Sequence, residues 1–135
     1  MQSSFKINIL DVQKKPIGIS IPLTENSTTF FSQTFTTLDQ YKTNIINLIM
    51  TAKGERRMFP TYGSNLKKRI FEQGVNLEET LKNDIVSAIS EWMPEVTIVS
   101  IEVYQDGSNE HAFLIKVFFT VPYSEELQNV EVEVK

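Results

Sequence analysis

At Pro94 the apolar residues of this chain change their spacing, and that change limits the fold more than any other feature. Upstream, Leu38, Tyr41, Ile45, Leu48, Ile49 and Ala52 recur at helical intervals, as do Leu77, Leu81, Ile85, Ala88 and Ile89, so each set lines one face of a helix. Downstream, Val99, Ile101 and Val103 alternate with Ser100 and Glu102. After the turn sequence Asp106-Gly107-Ser108-Asn109, Phe113, Ile115, Val117, Phe119 and Val121 alternate again. A period of two with apolar residues on one side describes strands joined as an antiparallel hairpin. A last run, Val130, Val132 and Val134 with Glu131 and Glu133 between them, reads as a short terminal edge strand whose acids discourage unwanted pairing. Amphipathic helices and a one-sided sheet must bury their apolar sides against each other. The expected fold is therefore α+β, a small antiparallel sheet with about three helices packed on one face.

Local signals give the element ends. Thr37 and Gln40 have capping-box spacing, with Asp39 adding negative charge to the first turn, and Lys53 and Gly54 are expected to close that helix. Ser64 is a candidate cap for a short helix carrying Leu66, Ile70 and Phe71, which Gly74 ends. Asn76 and Glu79 repeat the capping-box spacing before a third helix that stops at Pro94, just after Trp92. Before all of these, Ile17, Ile19 and Ile21 alternate between Pro16 and Pro22, a pattern that suits an edge strand because proline cannot donate to a ladder. Glu25 to Thr29 reads as a turn, and Phe30, Phe31 and Phe35 as rings covering a core or a partner.

A length of 135 residues suits a single domain, 1–135, with one core. With no Cys and one His, the chain has no disulfide framework and few means of holding zinc, so no metal and no cofactor are expected. His111 opens a strand and is read as a strand-end residue. A net charge of -4 argues against general affinity for nucleic acid or anionic membrane. The N-terminus lacks the basic and apolar regions of a signal peptide, and no run approaches the roughly 20 apolar residues of a membrane span.

Between the first two helices lies the densest stretch of the chain, Gly54 to Phe71, GERRMFPTYGSNLKKRIF. Gly54, Pro60 and Gly63 there predict an ordered connection of specific shape, tied to the core by Phe59 and Tyr62. The pattern Gly54-Glu55-Arg56-x-Met58-x-Pro60-x-Tyr62-Gly63-x-x-Leu66, followed by Phe71-Glu72, resembles the baseplate wedge proteins of contractile-tailed phages. These are the sheath initiators, lysozyme-like in some descriptions and related to a baseplate component of type VI secretion. The resemblance takes in Pro16 to Pro22, the helix before Pro94 and the final hairpin, and leaves residues 1–14 as an N-terminal extension. It departs at Met93-Pro94-Glu95, where the family commonly carries Glu-Pro-Arg.

That resemblance implies a structural subunit without enzymatic activity, present in six copies, that joins the wedge and templates the first ring of tail sheath. Its implied partners are other baseplate wedge proteins and the tail sheath protein, with the tail tube as a further candidate. Its implied location is the virion tail baseplate, assembled in the host cytoplasm. Candidate partner-binding residues are Gly54, Glu55, Arg56, Arg57, Pro60 and Gly63 on the loop, Met93, Pro94 and Glu95 after the third helix, and Val130, Val132 and Val134 on the terminal strand. An edge strand can take a partner's extended arm by strand addition. Deletion of Asn129 to Lys135 is accordingly expected to spare the core. The rival reading is a murein-degrading glycoside hydrolase, which needs two carboxylates about 5–9.5 Å apart, one in an apolar pocket. Glu72 beside Phe71 and Glu91 beside Trp92 are its candidates, with Glu55 or Glu95 as the second acid.

Overall fold

The computed structural model describes residues 16–21, 32–72, 76–105, 107–108, 112–122 and 124–134. Residues 1–14, Pro22, the 25–29 turn, Phe30, Phe31, Gly74, Asp106, Asn109 and His111 lie outside them. The described residues form three helices, α1 (Thr37–Met50), α2 (Leu66–Phe71) and α3 (Leu77–Trp92). Five strands accompany them: β1 (Gly18–Ile19), β2 (Gln33–Thr34), β3 (Thr97–Gln105), β4 (Phe113–Val121) and β5 (Ser124–Val134). β3, β4 and β5 make one antiparallel sheet in that order, and β1 and β2 a separate two-stranded ribbon.

β4 carries the strictest alternation in the chain and lies at the centre of the sheet, with Phe113, Ile115, Val117, Phe119 and Val121 all buried. Val130, Val132 and Val134 of β5 stand opposite Val117, Ile115 and Phe113, so their side chains enter the same core. α1 lies over β5 and α3 over β3, while α2 packs on α3. Ile45, Leu48 and Ile49 from α1 and Leu81, Ile85 and Ile89 from α3 are essentially inaccessible. Full burial of such side chains is worth about 1.5–3 kcal/mol each.

Several local expectations are corrected. Val99 does not face the core: Ile98 pairs with Phe119 and Ser100 with Phe118, so Val99 is the extra residue of a β-bulge and is 57% exposed. The bulge shifts the phase, and Ile98 packs inward instead. β5 is not short. It starts at Ser124 and runs for 11 residues. The Ile17 to Ile21 segment is no edge of the main sheet; its two-residue strand pairs only with β2, and Ile19 is half exposed.

The caps differ as well. Thr36, not Thr37, caps α1: its Oγ1 accepts the Asp39 backbone N–H at 3.2 Å and donates to the Asp39 carboxylate at 2.7 Å. Gln40 is released for another task, accepting the Thr34 hydroxyl at 2.6 Å and so fastening the β1–β2 ribbon to α1. α1 ends at Met50 with Thr51 as its C-cap, three residues before Gly54. Asn76 makes no side-chain cap, because its φ of 69° is left-handed, and a capping side chain needs extended backbone to aim at the first-turn N–H groups.

Candidate functional site

The 51–64 loop is held by its own backbone. Gly54 N–H donates to Pro60 O at 2.8 Å and Tyr62 N–H to Phe59 O at 3.0 Å, closing the tip, while Ala52 and Ser64 pair as a short parallel bridge at its neck. Ser64, buried at 2% exposure, donates its hydroxyl to Ile49 O at 2.6 Å and so ties the loop's return to the last turn of α1. Gly63 has a φ of 117°, and a Cβ there would meet Thr51 O at 2.3 Å, so the chain passes its own helix end too closely for any side chain. Gly54 is also left-handed at 94° but faces open space.

Aromatic contacts then fix the loop to α3. Tyr62 meets Trp92 edge-on with centroids 5.1 Å apart, and Phe59 meets it at 6.2 Å and 83°. The Arg56 guanidinium lies 4.0 Å above the Tyr62 ring. Burial raises the Tyr62 phenol above its ordinary range, and the Arg56 charge opposes that rise. Trp92 Nε1 is buried and meets no acceptor among the described residues, a state that costs a fold about 1–3 kcal/mol.

Two of the three candidate regions therefore meet at one residue. Trp92 ends α3 and leads directly into Met93-Pro94-Glu95, and the Tyr41 hydroxyl of α1 donates to Glu95 Oε2. Between α1 and this turn is a pocket of about 310 Å³, lined by Ile17, Thr37, Gln40, Tyr41, Asn44, Trp92, Met93, Pro94 and Glu95. Sequence reasoning singled out the loop and the turn but missed Tyr41, whose helical spacing marked it only as core.

The loop candidates divide by what they engage. Glu55 accepts the Ala52 backbone N–H at 2.9 Å, Arg56 is engaged on Tyr62, and Gly63 is buried, so these three shape the loop. Arg57 and Met58 project from it, Met58 at 85% exposure. The third region stands elsewhere. Val130, Val132 and Val134 are buried in the core, so β5 can offer a partner its backbone edge but not those valines, and Glu131 between them pairs with Lys116 at 2.9 Å. Beside that edge, across another flank of α1, a groove of about 440 Å³ separates Asn129, Val130 and Glu131 from Ser32, Gln33 and Thr34.

For the rival chemistry, Glu72 is exposed and paired with Arg69 at 3.1 Å. Arg69 also reaches Asp84 at 3.2 Å, so this one cation of the 67–69 run clips α2 to α3, while Lys67 and Lys68 face solvent. Glu91 is exposed, and Glu55 and Glu95 are occupied as described above. No cluster of His, Asp and Glu suited to a metal occurs among the described residues.

The described residues form an α+β body with a shaped loop and a sheet in which β5 pairs with β4 and no further described strand. The family is specific: residues 38–130 match the model of the family Baseplate wedge protein gp25, and the chain belongs to that family. No curated protein matches the sequence. Among solved structures, one from Geobacter sulfurreducens provisionally described as a tail lysozyme aligns with a TM-score of 0.65 at 21% identity, over 73% of this chain and 89% of that one. A chain of the sixfold-symmetrised anti-feeding prophage baseplate aligns at 0.58 and 20% identity, over 94% and 90%. A chain of the postcontracted pyocin R2 baseplate aligns at 0.52 and 16% identity, over 80% and 96%. At these identities the structures share the fold, and the family assignment rests on the sequence match.

Proposed function

We propose that this baseplate protein joins the wedge through the tip of its 54–63 loop and templates the first ring of tail sheath by accepting an extended strand on the open edge of β5. The observation that carries this reading is the edge itself. Among the described residues β5 is hydrogen-bonded to β4 on one side only, and it is pinned in register by Val130, Val132 and Val134, which a one-residue slip would turn out of the core. A prearranged strand gives an incoming arm directional backbone bonding and lowers the ordering cost of association. The groove between β5 and β2 offers that arm a defined approach. On the loop, Arg57 and Met58 supply an exposed cation and an exposed apolar side chain on a backbone that is already fixed.

In this reading the protein acts without catalysis, in six copies, alongside other wedge proteins and the sheath and near the tail tube, after assembly in the host cytoplasm. The exposed setting of Glu72 and Glu91 supports that, since a general acid needs an apolar pocket to hold its proton near neutral pH. Purified protein is expected to release no reducing sugar from peptidoglycan, and release that Glu72→Gln abolishes would restore the hydrolase.

The strand reading is tested by a proline scan across 125–129, flanking the buried valines. The β4–β5 register shifts between the Phe119–Gln128 and Val121–Ser124 pairs, so the ladder there is irregular, and proline at a position whose N–H does not donate to β4 leaves the ladder whole while blocking the edge. Those variants are expected to fold and to enter baseplates but to nucleate no sheath. Sheath of normal length on all of them would remove β5 from the mechanism.

A further inference from the structure

The pocket between α1 and the 93–95 turn has walls of a kind that suit one side chain. Trp92 and Tyr41 contribute aromatic surface, Ile17 and Pro94 apolar surface, and Glu95 a carboxylate. The Tyr41 hydroxyl holds one oxygen of that carboxylate, which fixes the acid at the rim, and the other oxygen has no partner among the described residues. No cation among the described residues is paired with Glu95. Arg56 does not line the pocket and is occupied on Tyr62. At about 310 Å³ the space is at the low end for a small-molecule site, which begins near about 300 Å³, and matches a single long side chain better than a cofactor.

We infer that this pocket receives an arginine side chain from a neighbouring baseplate subunit. A guanidinium is planar and weakly hydrated, stacks on aromatic faces and donates in a fork to a carboxylate, so one group satisfies both the rings and Glu95. A lysine ammonium satisfies the charge but stacks poorly and gives up more hydration. An uncharged arm fits the walls and leaves the carboxylate unmatched. Glu95 thus acts as the selecting residue, Tyr41 positions it, and Trp92 is the platform. The inference rests on the reading of the chain as an assembly subunit and adds the chemistry of what it binds.

Trp92 is the only tryptophan of the chain, so its fluorescence reports on the pocket directly. The isolated chain is titrated with the capped tripeptide acetyl-Gly-Arg-Gly-amide and with its lysine and citrulline counterparts. A saturable change with the arginine peptide, weaker with lysine and absent with citrulline, is expected. Glu95→Gln, an exposed change that leaves the circular dichroism spectrum intact, is expected to weaken binding about tenfold or more. Tyr41→Phe, which frees the carboxylate without removing it, is expected to weaken binding less. An equal response to citrulline, unchanged binding by Glu95→Gln, or no saturation up to the solubility of the peptide would overturn the inference. Because no assembly is involved, such a failure leaves the baseplate reading standing, whereas failure of the proline scan leaves the pocket untouched.

Discussion

Gly63 and Gly54 are both left-handed, yet they differ in what a side chain would encounter. At Gly63 a methyl group meets the Thr51 carbonyl, part of the backbone that ends α1, and cannot be accommodated by a rotamer change; at Gly54 it meets nothing within 4 Å. Gly54→Ala is therefore expected to cost about 1 kcal/mol, from backbone conformation alone. Gly63→Ala is expected to cost about 3 kcal/mol or more, because the steric clash adds to the strain. Denaturant unfolding of the two variants measures both, and equal costs would mean that the loop neck is looser than its hydrogen bonds indicate. Tyr62 gives a pH dependence at the same scale. Its folded-state pKa is raised, chiefly by burial, so the stability it contributes is fully present below the unfolded value of about 10 and is lost as pH rises through the folded one. Tyr62→Phe is expected to flatten the fall in stability above about pH 10. Tyrosinate absorbance should show a late-titrating group vanish in the variant, and a late group that persists would belong to Tyr104, whose hydroxyl donates to Glu102 and is also raised.

At the scale of elements, the bulge in β3 separates two neighbours that look alike in sequence. Val99→Ser is expected to change stability by no more than about 0.5 kcal/mol, while Ile101→Ala is expected to cost about 2–5 kcal/mol. Thermal or chemical denaturation distinguishes these outcomes, and a large loss at Val99 would place it in the core after all. The helices and the β4 alternation were legible because their apolar residues repeat over many turns or positions, and no local accident can hide such a signal. The bulge was not, since one inserted residue leaves the V-S-I-E-V alternation looking perfect while reversing the face of its first member. The same reason explains Asn76. Capping-box spacing specifies which side chains are near one another, but the cap forms only if the backbone before the helix is extended, and here it is left-handed. Of the candidate site, the loop and the 93–95 turn were visible as punctuation. Their meeting at Trp92 and Tyr41 was not, because it depends on how α1 and α3 pack.

Across the whole molecule, β5 is part of the core, and in the proposed function it also offers its outer edge. From sequence, an acidic terminal strand reads as dispensable to the core, which predicts that removal of residues 129–135 leaves the domain folded. In the structure Val130, Val132 and Val134 are 6%, 3% and 1% exposed and face Val117, Ile115 and Phe113 beneath α1. Losing three buried valines withdraws roughly 4.5–9 kcal/mol of hydrophobic stabilisation and also bares the β4 edge. Domains of this size have only about 5–15 kcal/mol in total. The truncated chain is therefore expected to lose cooperative unfolding and to expose apolar surface, seen as a flat thermal melt with strong binding of a hydrophobic dye. A sharp melting transition in the truncated chain would show that α1 and β4 close the core without β5. Loss of sheath in such a truncation would follow from unfolding alone, so only substitutions that leave the valines in place can separate the strand's part in the core from its open edge.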